Sequence, residues 1–305
     1  MRSGIFTDIS TGGAAPQILG GNMYGTLFLV GTPIGNLEDM SYRAIRTLKE
    51  ADIIAAEDTR NSIKLLNHFE INVPMTSYHE YNKTEKGHEL IAKLQEGKNI
   101  ALITDAGMPG ISDPGEELVA MAHAAHVTVS VVPGPSAVIS ALVISGLPTR
   151  CFSFYAFLPA DNKPRKKMLT DIAAEIKTLV LYEAPHHLLK TLKDLREALG
   201  NRSISVVKEL TKKHEKVLRT DLDGAILTYE NEEPKGEYVL VIAGRDAKEV
   251  REEEIASWTE MPVEEHMKFY TDQGFDRKEA MKLVAKDRGV GKREIYSMLT
   301  KNSPE

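Results

Sequence analysis

The chain has 305 residues, 42% of them hydrophobic and 27% charged, with a formal net charge of −6. That length accommodates two domains with cores of their own, and the acidic balance excludes a protein coated in positive charge, so any nucleic-acid contact must come from local basic patches. Cys151 is the single cysteine, which excludes an internal disulfide framework and every cysteine-based zinc site and fits a reducing cytoplasm.

No apolar run approaches the ~18 residues of a membrane span, and no basic region precedes an apolar core at the N-terminus, so a soluble, cytoplasmic protein is expected. Residues 1–23 are rich in Gly, Ser, Thr and Ala without periodicity and read as a flexible leader. Residues 27–30 are four apolar side chains in succession, the pattern of a strand buried on both faces. Gly31, Pro33 and Gly35 stop that strand and allow a tight turn and a close approach to a ligand. Asn36, Glu38 and Asp39 then lead into a helix over 41–49, with Ala44, Ile45 and Leu48 on its apolar face.

Apolar runs at 53–56, 100–103 and 127–132 alternate with further helical patterns, so residues 24–147 are predicted to be an α/β domain on a parallel sheet. Gly146 and Pro148 interrupt helix and strand alike and mark a linker. A second cycle, with runs at 179–182, 204–207 and 238–242, makes residues 148–245 a second α/β domain. Composition then shifts: 246–265 carries eight acidic residues against Lys248 and Arg251, whereas 276–301 carries eight basic residues against four acidic ones. Residues 246–305 therefore read as a helical appendage.

Charged and turn-forming residues gather where the predicted strands end. Glu57, Asp58 and Arg60 follow the second strand and suit either a cleft or an acidic helix start capped by Asp58. After the third strand, Asp105, Gly107, Pro109, Gly110, Asp113, Pro114 and Gly115 crowd into eleven positions. A carboxylate there can accept from a ribose or an amino group, while glycines bring backbone against a ligand. The fourth strand ends in Pro133-Gly134-Pro135, and Ser136 is placed to cap the next helix. Three such loops at three parallel strand ends describe one crevice.

In the second half, Lys208, Glu209, Lys212 and Lys213 follow a strand and read as surface or as phosphate contacts. His186 and His187 are adjacent, point apart and have no third partner at ligand spacing, so no metal is expected. The segment 31–36 does not fit the dinucleotide fingerprint, no Gly-Lys-Ser/Thr follows a Gly-rich loop, and no nucleophile elbow is present. In the last segment Ala280, Leu283 and Val284 form one helical stripe and Ile295, Met298 and Leu299 a second, separated by Gly289 and Gly291. That is the pattern of a helix-turn-helix, surrounded by Lys278, Lys282, Lys286, Arg288, Lys292 and Arg293.

The ordered motifs LVGTPIGNLEDMS, AAEDTR, TDAGMPGISDPG, PGPSA, YEAPH and KELTK, spanning residues 25–245, resemble the tetrapyrrole-methylase-like class of S-adenosylmethionine methyltransferases. Within that class they look like the ribosomal RNA small-subunit methyltransferase I branch, which methylates a cytidine ribose 2′-hydroxyl in the decoding region of 16S ribosomal RNA. The resemblance implies two α/β domains with S-adenosylmethionine in the cleft between them, a homodimer, and 16S RNA or the small subunit as partner. It assigns cofactor contacts to Pro33, Gly35, Asp105, Gly107, Ser136, Ala137, Tyr182 and Leu210. Relatives often carry Thr-Pro-Leu where this chain has Met108-Pro109-Gly110, and Arg in place of His187. Candidate catalytic groups are Glu57, Asp58, Lys208 and Glu209, and candidate RNA contacts are Arg60, Lys212, Lys282, Lys286, Arg288, Lys292 and Arg293. A porphyrin or corrin precursor methylase and a non-catalytic ribosomal RNA-binding module are the competing readings. A macrocycle pocket would favour the first, and failure to bind S-adenosylmethionine the second.

Overall fold

The computed structural model describes residues 18–19 and 22–301, so most of the expected leader, 1–23, lies outside the described residues. A short antiparallel pair, β1 (Ile18–Leu19) and β2 (Asn22–Met23), comes first. The first large sheet is formed by β3 (Thr26–Val30), β4 (Ile53–Ala56), β5 (Met75–Ser77), β6 (Ile100–Ile103) and β7 (Thr128–Val132) in the order β5-β4-β6-β3-β7, all parallel. Four helices cover it: α1 (Tyr42–Glu50), α2 (Thr59–His68), α3 (Lys83–Gln95) and α4 (Glu116–Ala124).

Alternation along the central strand explains the two-sided core. Ile100 and Leu102 pack with Leu90, Leu94 and Leu118, whereas Ala101 and Ile103 pack with Ala44, Leu48 and Leu66 on the opposite side. Ser41 caps α1 by accepting from the Ala44 amide at 3.1 Å, which fixes where the helix begins after the Gly-rich loop. The sequence reading did not contain β5, because Met-Thr-Ser is short, half-buried and only one-third apolar.

The second sheet is mixed. It comprises β8 (Phe152–Phe154), β9 (Thr178–Glu183), β10 (Ser203–Lys208), β11 (Lys216–Asp221) and β12 (Tyr238–Ile242), in the order β11-β10-β12-β9-β8. Only β8 and β9 are parallel. The edge strand β11 is half-exposed and mostly polar, so it too left no apolar run to read. One face is packed by α6 (Asn162–Ala173), α7 (Leu188–Leu199) and α8 (Leu222–Asn231), which supply Leu169, Leu192, Leu195 and Tyr229 to the larger core.

The other face is covered by α5 (Ala137–Ser145), which follows the last strand of the first sheet but packs on the second. Val138, Ala141 and Leu142 meet Val180, Val207, Val239 and Val241. At the helix end the Arg219 guanidinium from β11 donates to the carbonyls of Ile144 (2.6 Å) and Ser145 (3.2 Å), satisfying groups that a helix C-terminus leaves unpaired. Helix α5 thus ties the halves together.

The remaining helices are α9 (Ala247–Glu260), α10 (Val263–Thr271), α11 (Arg277–Asp287) and α12 (Lys292–Lys301). They enclose a small separate core of Val263, Met267, Ala280, Val284, Ala285 and Ile295. Gly289, at φ +65°, closes the turn between α11 and α12 as the helix-turn-helix pattern requires.

Backbone contact between loops sets the geometry at the strand ends. A Cβ added to Gly134 would lie 2.8 Å from the Cα of Gly31, so the loops after β3 and β7 touch where no side chain fits. Gly134→Ala is therefore expected to lower stability by about 1–3 kcal/mol in urea unfolding, through forced separation of these two loops.

Candidate active site

Three loops of the first sheet are locked to one another by their main chains. Thr32 and Gly107 exchange amide-to-carbonyl hydrogen bonds at 2.9 and 3.1 Å, and the Gly31 amide donates to the Val132 carbonyl at 3.1 Å. The buried Thr32 hydroxyl donates to the Thr104 carbonyl at 3.0 Å. Opposite these loops stand the ends of β9, β10 and β12, and between them lies a cavity of about 420 Å³. Its walls combine Ile34, Met108, Val207 and Leu210 with the acidic residues Asp113, Glu183 and Glu237, the Glu183 carboxylate being turned to the Thr191 hydroxyl of the following helix. An outer pocket of about 380 Å³ adjoins it and shares Ile34, Ala106 and Glu237.

Backbone strain concentrates at this cleft. Ser112 (φ +67°), Ala156 (+50°), Glu209 (+51°) and Thr211 (+64°) adopt left-handed conformations without being glycine. Ser112 lines the cavity, and the other three flank its lining residues Phe157 and Leu210. Such conformations cost on the order of 1–3 kcal/mol each and persist where surrounding contacts impose them.

The eight residues assigned to the cofactor divide between the two spaces. Gly107, Ser136, Ala137, Tyr182 and Leu210 line the inner cavity, and Pro33, Gly35 and Asp105 line the outer pocket. Asp105 accepts from the Asn61 side-chain amide at 2.9 Å. Ser136 begins α5 but makes no side-chain cap bond. The departure at Met108 falls in the inner wall, whereas His187 is exposed, its ring tilted against that of His186.

The four candidate catalytic groups line neither space. Glu57 is half-buried behind the inner wall and accepts from the Thr104 hydroxyl at 2.7 Å. Asp58 caps α2, and its fork with Arg60 holds its carboxyl down to about 2. Lys208 lies 5.9 Å from the Tyr238 ring centre. Glu209 accepts from Lys212 at 3.0 Å and from the Glu237 amide at 2.9 Å. Burial opposes the charge of Glu209, but those bonds keep its pKa below the usual range.

Three of the seven candidate RNA contacts are already engaged within the fold. Arg60 forks onto Asp58, and Lys212 lies between Glu209 and Glu237. Arg288 corrects the sequence reading most sharply: its residue is buried, with the guanidinium donating to His266 Nδ1 at 3.2 Å and to the Met261 carbonyl. Lys282, Lys286 and Arg293 are exposed and Lys292 half-exposed. With Lys278, the residues Lys282 and Lys286 recur every four positions along the face of α11 opposite Ala280 and Val284.

Asp113 was read from the sequence only as part of a turn-rich loop, yet its carboxylate lines the inner cavity. Burial, with Glu57 and Asp105 nearby, pushes its pKa up to about 6, against a hydrogen bond from Thr104. No local signal separates this Asp from other turn aspartates, because its setting comes from strands distant in sequence. Phe157 was also missed; it lines the cavity while remaining 54% exposed, with its ring 5.6 Å from that of Tyr182.

Residues 26–225 match the family described as tetrapyrrole (corrin/porphyrin) methylases. The chain is 50% identical over 274 residues to the ribosomal RNA small subunit methyltransferase I of Halalkalibacterium halodurans, covering 90% of this chain and 94% of the relative. The chain belongs to that family. The protein of the same name from Synechocystis is 46% identical over 90% of this chain and 97% of its own length. The crystal structure of uroporphyrin-III-C-methyltransferase from Thermus thermophilus covers 72% of this chain and 94% of its own, with a TM-score of 0.52 and 21% identity, a likeness of fold.

The raised pKa of Asp113 has a sign for stability. A proton held more tightly in the folded state stabilises the fold below the usual carboxylate range, and this contribution disappears as pH rises through about 6. Asp113→Asn, which keeps the shape and removes the charge, should therefore melt above the wild type at pH 8 and lose that advantage below pH ~4. The gain is on the order of 1 kcal/mol, because solvent at the open side of the carboxylate screens much of the penalty. Thermal unfolding at the two pH values measures it.

Proposed function

We propose that the protein transfers the methyl group of S-adenosylmethionine to the ribose 2′-hydroxyl of a cytidine in the decoding region of 16S ribosomal RNA. The observation that carries this reading is a carboxylate-bearing cavity at the strand ends of a chain half-identical to a ribosomal RNA methyltransferase over nine-tenths of its length. It acts in the cytoplasm, on the RNA or on the small subunit.

The residues present fit the cofactor. A cavity of about 420 Å³ lies within the size range of small-molecule sites, and its apolar walls suit an adenine and a thioether. Asp113 complements a cation. Ser62, whose buried Oγ has no hydrogen-bond partner, lines the outer pocket and offers a polar group to the amino-acid end. Gly107, Ser136, Ala137, Tyr182 and Leu210 would hold the cofactor within, and Pro33, Gly35 and Asp105 at the mouth. When bound, S-adenosylmethionine supplies an electrophilic methyl carbon, and the protein's share is to align and desolvate it.

The cavity's acidity repels a polyanion, so the grip on RNA must lie elsewhere. Lys282, Lys286, Lys292 and Arg293 supply it on a compact helical unit, with Lys278 extending the stripe. A homodimer is supported by Val131, Ile139 and Val143, which are 52%, 47% and 68% exposed. They belong to β7 at the sheet edge and to the outer face of α5.

Incubation with radiolabelled S-adenosylmethionine should label small ribosomal subunits or 16S RNA and leave uroporphyrinogen unlabelled. Label on the tetrapyrrole alone would overturn the reading. Asp105→Asn should weaken S-adenosylmethionine binding in calorimetry, since an amide replaces a charged acceptor at the pocket mouth. Joint replacement of Lys282, Lys286, Lys292 and Arg293 by Ala should weaken RNA binding and flatten its dependence on log salt by about one unit per lost phosphate contact, leaving cofactor affinity intact. An unchanged salt slope would remove the helical unit from the RNA interface.

A further inference from the structure

We propose that the exposed face of α6, with the start of α7, is a second RNA contact that receives the phosphates flanking the target nucleotide at the mouth of the cavity. The inference rests on the functional reading above. It adds to the C-terminal helical unit a grip on the catalytic body itself, since a nucleotide inserted into the cavity leaves its phosphates outside.

Topology places this surface beside the mouth. Strand β9 ends in Tyr182, and Glu183, Ala184 and Pro185 continue the cavity lining. Strand β8 is parallel to β9 and ends at the same edge, where Phe157 of the following loop also lines the cavity. Helices α6 and α7 follow these two strands, so both begin at the cavity end of the sheet and run away from it. Lys163, Lys166 and Lys167 lie in the first two turns of α6, and Lys190 in the first turn of α7. Even fully extended, the chain from Phe157 to Lys163 spans no more than ~20 Å.

Charge is unbalanced on this face. Residues 161–167 carry four cations against Asp161. Arg165 is buried, whereas Lys163, Lys166 and Lys167 are exposed and share one side of the helix at i, i+3 and i+4. None of these three is ion-paired among the described residues, in contrast to Lys190 with Asp194 at 2.8 Å and Lys193 with Glu230 at 2.7 Å. Phosphates displace the counterions of such unpaired cations. A recess of about 420 Å³ between the two helices is lined by Asn162, Arg165, Lys166 and Lys190; of its acidic residues Asp194 and Glu197, the first is already bonded to Arg165 and Lys190. The rim formed by the first sheet has the opposite balance. Glu57, Asp58, Glu80 and Asp105 follow its strands, and Arg60 and Lys83 are paired there with Asp58 and Glu80, which leaves Lys64. An RNA strand is thereby directed over the second sheet.

A hydrogen-bonded chain registers the patch to the cavity wall. Arg165 donates to the Pro159 carbonyl at 3.3 Å, to Asp194 at 2.7 Å and to the Thr191 hydroxyl at 2.7 Å. The buried Thr191 donates on to Glu183, whose other oxygen accepts from the Ala184 amide at 2.7 Å. The loop after β8, the first turns of both helices and the end of β9 are thus one bonded body. A phosphate seated on α6 stands at a fixed distance from a ribose in the cavity, which is how a remote contact aligns a reacting group.

The test uses the full-length protein with Lys163, Lys166 and Lys167 replaced jointly by Ala, or jointly by Arg. An equal-charge control carries Lys49→Ala, Lys98→Ala and Lys177→Ala, exposed residues that precede β4, β6 and β9 at the opposite ends of the sheets. Binding to protein-free 16S ribosomal RNA is titrated against salt, and methylation is measured on small ribosomal subunits. The α6 alanine protein should lose roughly two units from the slope of log affinity against log salt and raise KM for subunits roughly tenfold or more. Its kcat and its calorimetric affinity for S-adenosylhomocysteine should stay within about twofold of wild type, because neither the cavity nor the buried Arg165 is altered. The arginine protein should recover slope and KM, since it keeps the charge, and the control should match wild type. An unchanged slope and KM in the alanine protein, or an equal loss in the control, overturns the contact while leaving the methyltransferase reading in place. So does a raised KM for subunits with an unchanged slope on protein-free RNA, which would give the patch to a ribosomal protein. A wild type that labels no RNA overturns the functional reading and this contact together.

Discussion

The close approach of main chains at Gly31, Gly107 and Gly134 is the constraint on which the cleft depends. Parallel strands deliver their carboxyl ends to one edge, but by themselves they leave the following loops free to diverge. Here the loops after β3, β6 and β7 are joined by the Thr32–Gly107 exchange and by direct contact of Gly31 with Gly134. Backbone joined to backbone leaves no side-chain rotamers to average over, so one wall of the cavity is fixed before any ligand arrives. The opposite wall is registered to it by α5, whose apolar side packs on the second sheet and whose last carbonyls are held by Arg219.

That arrangement also explains where strain is tolerated. The left-handed conformations of Ser112, Ala156, Glu209 and Thr211 sit beside cavity-lining residues, on the loops that follow β6, β8 and β10. Rigid anchors let the chain hold costly torsions where a side chain must be aimed. Asp113 follows Ser112 directly, and its partial burial is a second cost borne at the same place. Function and stability are opposed on this loop, as is common where a charged group is kept partly dry.

Much of this was legible in the sequence because β3, β4 and β6 are continuous apolar runs, two of them followed by Gly and Pro, a pattern with few structural solutions. The runs at 27–30, 53–56 and 100–103 correspond to β3, β4 and β6 nearly residue for residue. The edge strands β5 and β11 escaped because half-exposed polar residues carry little periodicity. Individual side chains were harder to read than elements. Asp58 and Glu209 are conspicuous charges at strand ends, yet a helix cap and a local lysine occupy them. Arg288 sits in a basic run but turns inward to His266, a choice set by the packing of α10 against α11. Asp113 escaped for the opposite reason: its burial is created by residues from β4, β6 and β9.

The separation of charge along the chain follows from what each part must hold. On the proposed function, a sulfonium cation would be favoured by Asp113 at the cavity wall, and the same carboxylate would oppose the phosphates that flank a target nucleotide. Screening over about 8 Å at physiological salt softens this conflict only if the phosphates remain outside the cavity. A single unstacked nucleoside can meet that condition, because its base and sugar reach inward while the backbone stays at the surface. The lysine stripe of α11 would then supply the attraction, on a unit with its own apolar core. On that reading an acidic chain would bind RNA through positive charge concentrated on small helical surfaces, while the negative cavity would admit only the uncharged part of a nucleotide.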